Sequence, residues 1–338
     1  MTVPDRPADT GRLMRKHVAA CGAFLALLGW SPARADQEPS IGQRARAKLE
    51  AFKVPPDDGF ELARELIELG PKALPAVREF MARNPGSKAT PYLYQAAAWI
   101  EWNALAPEQR NRKAAGKLLG GIVASSKGAR RYLKENFDAF CKVGAVGMSP
   151  ALEILHADLE HADQAALLLY ITPLVQLVAE CGRVELVPEL ARMLDAEAGL
   201  EREAGAYILR TFAQRKLDIR KATPPLLEAL RDSEERVARN AAQALYVQGD
   251  RAILKQVFPL LSDSAPLTRA LAGELMEGLT GRDLGFQADA APDERSKVVA
   301  RYRELLAELE LLPRPGAAAK GEAQPEASVP PIELSGTP

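Results

Sequence analysis

Between Val187 and Met276 one pattern is written three times. Asp195, Asp232 and Asp263 serve as anchors, 37 and 31 residues apart. Two residues before each stands Met193, Leu230 or Leu261, and five before stands Leu190, Leu227 or Phe258. Five residues after come Leu200, Val237 and Thr268. Small pairs follow at Ala204-Gly205, Ala241-Ala242 and Ala272-Gly273, and then Ile208, Leu245 and Met276. Apolar and small positions at helical spacing, recurring every 20–50 residues or so, mean helix pairs that bury their faces only by stacking on one another.

Such an array grows along one axis, so a length of 338 residues does not translate into a count of compact domains. Hydrophobic residues make up 47% of the chain and aromatics only 6%, which suits an Ala/Leu-rich helical stack. No convincing period-2 strand appears, and the fold expected is all-α.

The first residues carry a separate signal. Met14-Arg15-Lys16-His17 is basic, Val18 to Trp30 is apolar but short for a bilayer, and Ser31-Pro32-Ala33-Arg34-Ala35 ends in Ala-x-Ala. That is the layout of an export signal cleaved near Ala35, with Met14 a candidate true start and an uncleaved anchor the competing reading. Cys21 falls early in the apolar run and not after it, which argues against lipidation. Removing residues 1–35 leaves 39 basic against 43 acidic residues. A mildly acidic exported chain lacks the concentrated basic face that nucleic acid requires.

Further along, Ile41 to Phe52 reads as a first helix, broken at Val54-Pro55-Pro56-Asp57-Asp58, where Asp57 or Asp58 can cap the next. Phe60 to Ile67 is helical up to Gly70, and Gly70-Pro71 ends one helix and starts another. A turn at Asn84-Pro85-Gly86-Ser87 precedes a helix over Thr90–Ala104. Pro107 opens the following helix, which ends near Lys127-Gly128. Tyr132 to Phe140 forms another, and Gly144 to Leu152 restates the Gly-then-Pro start. Asp163 to Glu180 is strongly apolar and should kink or split at Pro173. A last helix runs from Pro292, and six prolines after Leu312 mark a tail expected to be disordered.

The pattern Thr223-Pro224-Pro225-Leu226-Leu227-Glu228-Ala229-Leu230-Arg231-Asp232, followed by Val237-Ala238-Arg239-Asn240-Ala241-Ala242-Gln243-Ala244-Leu245, resembles HEAT repeats of the phycobilisome-lyase-like kind. Leu279 to Phe286 with Glu294-Arg295 and Ala300-Arg301-Tyr302 is similar to the closing module of secreted bacterial HEAT-repeat proteins. The resemblance implies a right-handed α-solenoid of about six or seven stacked antiparallel helix pairs over 40–312, curved and used to hold another macromolecule. The chain then divides into a signal (1–35), a linker and first helix (36–56), divergent helical repeats (57–180), HEAT-like repeats with a closing helix (181–312) and the tail (313–338).

The expected function is an exported, non-catalytic scaffold or adaptor for a protein partner, with no cofactor, no nucleic acid and no transmembrane segment in the mature chain. Two alternatives stand beside it: an enzyme or enzyme subunit resembling HEAT-like bilin lyases, and a structural envelope-associated protein. Phosphate loops, Gly-x-Ser-x-Gly and Cys-His pairings do not occur, and neither do the His-Glu pairs of HEAT-type di-iron hydroxylases. Asp195, Asp232 and Asp263, one per repeat, read as caps or braces, because paired acid-base carboxylates must converge. His156 and His161 lie near Asp158, Glu160 and Asp163 but lack the spacing of a metal motif.

Four residues are candidates for partner binding. Trp99 and Trp102, with Tyr92 and Tyr94, form either core or a hot-spot patch. Arg202 and Arg239, aligned through their Asp anchors, give two rungs of a basic ladder that stops at Ala270; an ordinary solvated face is the alternative. Cys141 and Cys181 are candidates for a disulfide in an oxidising compartment. Packed helices about 8–10 Å apart weigh against it, since a bridge wants Cα atoms within about 7 Å. Buried thiols acting as small hydrophobes are the other reading.

Overall fold

The computed structural model describes residues 38–52 and 59–313. Among them every regular element is helical and no strand occurs. The export-signal stretch, the Val54–Asp58 break with its capping Asp57 or Asp58, and residues 314–338 of the Pro-rich tail lie outside the described residues.

The helices before the repeats follow local chemistry closely. Helix α1, Ile41–Ala51, starts at Ser40, whose hydroxyl accepts from the Gln43 N–H while Gln43 accepts from the Ser40 N–H. This reciprocal box satisfies two orphan donors of the first turn. Helix α2, Gly59–Leu69, buries Phe60, Leu62, Ala63 and Leu66. Gly70 takes φ +70, a 3-10 turn Pro71–Ala73 follows, and α3, Leu74–Arg83, carries Pro75 where no main-chain bond is lost. Helix α4 is Thr90–Ala104, as the sequence predicts.

Two local expectations need correction, and a third takes a particular form. Pro107 opens only a 3-10 turn, Pro107–Gln109; helix α5 runs Arg112–Ala129. The extended Asn111 caps it, its side chain accepting from the Ala114 N–H at 3.2 Å. A capping Asn after the turn offers the backbone a better start than the proline does. After α6, Lys134–Cys141, helix α7 spans Ala145–Leu159 from Gly144 at φ +84. Pro150 sits inside α7, not at its start as Pro71 does. The third concerns Pro173. A helical turn Gln164–Ala166, capped by Asp163, leads into a π-helical segment Leu167–Ile171 and then α8, Thr172–Cys181. Pro173 cannot donate to the previous turn, and the expected kink takes the form of a widened turn just ahead of it. Gln164–Cys181 is long and apolar enough to cross a membrane by length and composition. Its inner residues Tyr170, Ile171, Leu174, Leu177 and Val178 pack into the protein core.

The three repeats give three helix pairs: α9 (Val187–Met193) with α10 (Gly199–Gln214), α11 (Thr223–Ala229) with α12 (Glu235–Gln248), and α13 (Leu254–Val257) with α14 (Pro266–Thr280). A 3-10 turn leads into the first helix of each, at Val184–Leu186, Arg220–Ala222 and Arg251–Ile253. In the third pair the first helix continues as a 3-10 segment, Phe258–Ser262. Helix α10 packs on α12, α12 on α14, and the closing helix α15, Pro292–Glu308, packs on Phe258–Ser262. The small pairs mark close approaches. A Cβ on Gly205 would lie 2.9 Å from Met193 Cβ and 3.2 Å from Leu190 O; on Gly273 it would meet the Phe286 ring at 2.6 Å.

One buried cluster runs from Trp102 to Leu306, and a second from Ala45 to Ile100. Helix α4 serves both: Tyr92, Leu93, Ala96 and Ile100 face the N-terminal cluster, and Trp102 the larger one. Gln95, Asn136 and Ser125 tie α4, α5 and α6 together where the packing is polar, the two amides bonding reciprocally at 2.7 and 2.8 Å. Where α5 crosses α4, two adjacent glycines behave differently. A Cβ on Gly121 would fall 2.4 Å from Ala98 Cβ and 3.0 Å from Tyr94 O, while one on Gly120 would meet nothing within 4 Å. Gly121→Ala should therefore destabilise by about 1–3 kcal/mol through overpacking. Gly120→Ala should stabilise by about 0.5–1 kcal/mol through helix propensity. Urea midpoints of the two variants should move in opposite directions.

Cys141 and Cys181 form a disulfide with Cα atoms 5.7 Å apart. The helix-spacing argument against it applies to mid-helix positions. Both cysteines are the last residues of their helices, α6 and α8, whose ends converge.

Candidate functional site

The four candidate binding residues do not form one patch. Trp102 is 7% exposed and belongs to the core, beneath the guanidinium of Arg110, which lies 5.6 Å from its ring centroid. Trp99, three residues earlier on α4, is half-buried and lines a different groove with Phe60, Ile67, Asn103 and Arg131. Tyr92 packs edge-on against Phe60, and Tyr94 is 44% exposed.

Arg202 is engaged within the fold. Its Nε and Nη2 donate to Asp232 at 2.7 and 3.0 Å, and its Nη1 donates to the carbonyls of Ala196 and Glu197. Arg202 and Asp232 side chains are 16% and 8% exposed, so this is a nearly buried clamp between successive repeats. Burial works to raise the Asp232 pKa, but hydrogen bonds from Arg202 and from the Glu234 N–H outweigh it and hold it below its ordinary value.

The clamp also corrects the register of the ladder. Counted from the helix caps Ala198, Glu234 and Ala265, Arg202 is equivalent to Ala238 and Arg269, not to Arg239. One extra residue between Asp195 and its cap produced the false alignment. Arg269 repeats the role: its Nη1 donates to Asp263 O and Ser264 O, and its Nε to Ala288 O of the closing segment. Arg295, four residues after its own cap Ala291, likewise donates back to Ala290 O. Asp232 and Asp263 brace the loops by accepting from the N–H two residues on, at 2.8 and 3.0 Å, and are not the cap residues.

Arg239 stays on the surface, paired with Glu235 at 2.6 Å, beside a groove between α12 and α14 that includes Gln243, Tyr246, Glu274 and Glu277. Its neighbours are balanced too: Arg236 faces Glu203 at 3.4 Å and Arg210 donates to Gln243 at 3.0 Å. This face is polar and self-paired, not basic.

The unbalanced surface lies elsewhere. From Gln109 to Lys134 the sequence holds eight basic residues and no acid, a signal that a count in short windows exposes and a whole-chain net charge hides. Some of these cations are committed: Arg112 to Glu153, Lys127 to Asp158 at 3.1 Å, Lys134 to Asp138 at 2.8 Å. Lys113 and Lys117 are exposed one turn apart on α5 and have no ion-pair partner among the described residues. They edge a groove of about 210 Å³ between α4 and α5, with Trp102, Leu105, Ala114 and Leu118 forming its apolar lining. Glu101, also at this groove, is bonded to Arg78 at 2.7 Å.

His156 contacts Glu201 of α10, and His161 is exposed near Glu160 at 3.9 Å, so the two histidines are not brought together. Among the described residues no group of three or more His, Cys, Asp or Glu is placed to hold a metal ion. Asp158 accepts from Tyr170 Oη at 2.7 Å and from Lys127 Nζ. Burial pulls the Lys127 pKa down, but its bonds to Tyr170 and Asp158 prevail and raise it, which keeps this lysine a cation and a poor nucleophile. No protein-family model matches the chain, and comparison with curated proteins finds no match.

Proposed function

We propose that this chain is an exported, non-catalytic scaffold, a HEAT-like right-handed solenoid that holds a protein partner on its helical surface. The observation that carries the reading is the row α10, α12, α14: consecutive second helices in direct contact, the first two repeats joined by the Arg202–Asp232 clamp and the second and third by the Arg231–Asp263 pair. The groove on this row, between α12 and α14, is open to solvent, and an extended surface of stacked helices suits macromolecular binding. The titratable groups that come together are spent on each other, as in Lys127–Asp158–Tyr170 and Arg202–Asp232. Export rests on the residue 14–35 pattern and is favoured by the Cys141–Cys181 bridge, since disulfides persist in oxidising compartments.

Immobilised chain challenged with an envelope extract tests the scaffold. Retention of one protein in fixed stoichiometry is expected. Turnover of a small molecule by the purified chain, without any partner, would overturn the reading in favour of the lyase-like alternative.

A further inference from the structure

We infer that the α4–α5 groove binds an acidic peptide segment that carries an apolar anchor side chain; the inference rests on the scaffold reading and narrows it to one surface and one partner chemistry. Three observations converge there. The rim is cationic: Lys113 and Lys117 project without ion-pair partners among the described residues, and the guanidinium of Arg110 lies 5.6 Å from the ring centroid of Trp102, which lines the groove. Glu101, the acid within the groove, is neutralised by Arg78; Glu108, in the turn before the run, is exposed. The floor is apolar, with Trp102, Leu105 and Leu118 beneath the lysines. Its volume, about 210 Å³, falls below the ~300–1,000 Å³ of small-molecule sites and suits a single side chain.

Gly120 extends the same exposed stripe by a further turn. It is exposed, and no neighbour uses the space above its Cα. A mid-helix glycine costs ~1 kcal/mol against alanine, and Gly121 and Gly116 have packing neighbours that Gly120 lacks. Bare backbone beyond two lysines lets an extended chain lie close to α5.

Charge decides the class of partner. Outside residues 109–134 the chain has 36 basic against 45 acidic residues. A long polyanion such as nucleic acid would leave the cationic stretch and meet net negative surface, whereas a short acidic segment is matched to it. Aromatic and apolar groups in the floor, ringed by charge, are the arrangement expected of a peptide anchor pocket.

Fluorescence anisotropy with the full chain and a fluorescein-labelled peptide, in which glutamates flank a single leucine, tests the assignment. Wild type should bind it, more weakly as salt rises. Lys113→Glu/Lys117→Glu should weaken binding at least about tenfold, two surface attractions being replaced by two repulsions. Arg236→Glu/Arg239→Glu, on the balanced α12 face, should bind as wild type does. Replacing the peptide's leucine with serine should also weaken binding. Unchanged binding by the lysine variant, with an unchanged melting curve to show that it folds, overturns the inference. So does tighter binding of single-stranded DNA or of phosphatidylglycerol vesicles than of the peptide. If the chain takes no acidic peptide yet still retains one envelope protein stoichiometrically, this inference falls and the scaffold reading stands. If the peptide binds at Lys113 and Lys117 but small-molecule turnover is found, the site stands and the purely scaffolding role falls.

Discussion

Replacing Cys141 and Cys181 together with alanine is expected to lower the unfolding free energy by about 4 kcal/mol, the chain-entropy contribution of a bridge closing a loop of this length. The cysteines are 40 residues apart in sequence, and the closed loop contains α7, the π-helical segment and α8. That region holds the irregular part of the core, where Pro150 lies within a helix and Pro173 follows a widened turn. Both prolines remove main-chain donors, so the loop relies more than its neighbours on tertiary restraint. Urea unfolding of the wild type with and without dithiothreitol should reproduce the effect, the reduced protein unfolding at lower urea. Equal midpoints for oxidised and reduced protein would show that the packing of α6 against α8 needs no covalent help.

What was legible in the sequence divides along a physical line. Helix α4 follows from apolar periodicity and side-chain size, which are local. The fixed interval from the Asp anchors sets Leu200 and Ala204-Gly205 one residue out of register with Val237 and Ala241-Ala242, and Leu200 is accordingly 39% exposed. Helix α4 was bounded by a proline in its first turn and ended as expected at Ala104. Quantities that depend on how ends meet were less legible. The bridge between Cys141 and Cys181 was weighed against a mid-helix spacing that does not apply at two helix termini. The Arg ladder was misaligned because the loop after Asp195 is one residue longer than those after Asp232 and Asp263. Aligned on caps instead of on the Asp anchors, Arg202, Arg269 and Arg295 share one column, in which the middle repeat has Ala238, and the three arginines act as loop clamps. The α5 cations were visible throughout, but a near-neutral total concealed them. Trp102 could not be assigned to core or surface from spacing alone, since a tryptophan under an arginine at a groove floor satisfies both descriptions.

Arg202→Ala is the complementary test of the repeat architecture, with an expected loss of about 3–5 kcal/mol. The change strands the Asp232 carboxylate, 8% exposed, without its guanidinium, and takes a donor from the carbonyls of Ala196 and Glu197. An uncompensated charge in that position costs more than the pair itself contributes. Arg202→Met with Asp232→Leu should therefore recover part of the loss. The recovery should be incomplete, because Asp232 also accepts from the Glu234 N–H at 2.8 Å and braces the loop into α12. The pH dependence separates the clamp from simple packing. Asp232 has its pKa depressed in the folded chain, so its contribution is full above the unfolded value of about 3.9 and is lost as pH falls through the folded value. The stability difference between wild type and Arg202→Ala should accordingly be constant near neutral pH and shrink below about pH 4, in step with protonation of Asp232. A difference that stays constant into acid would mean that the arginine acts through its two carbonyl bonds and its buried stem. The repeats would then be joined by a neutral clamp of the kind Arg269 makes to Asp263 O, Ser264 O and Ala288 O.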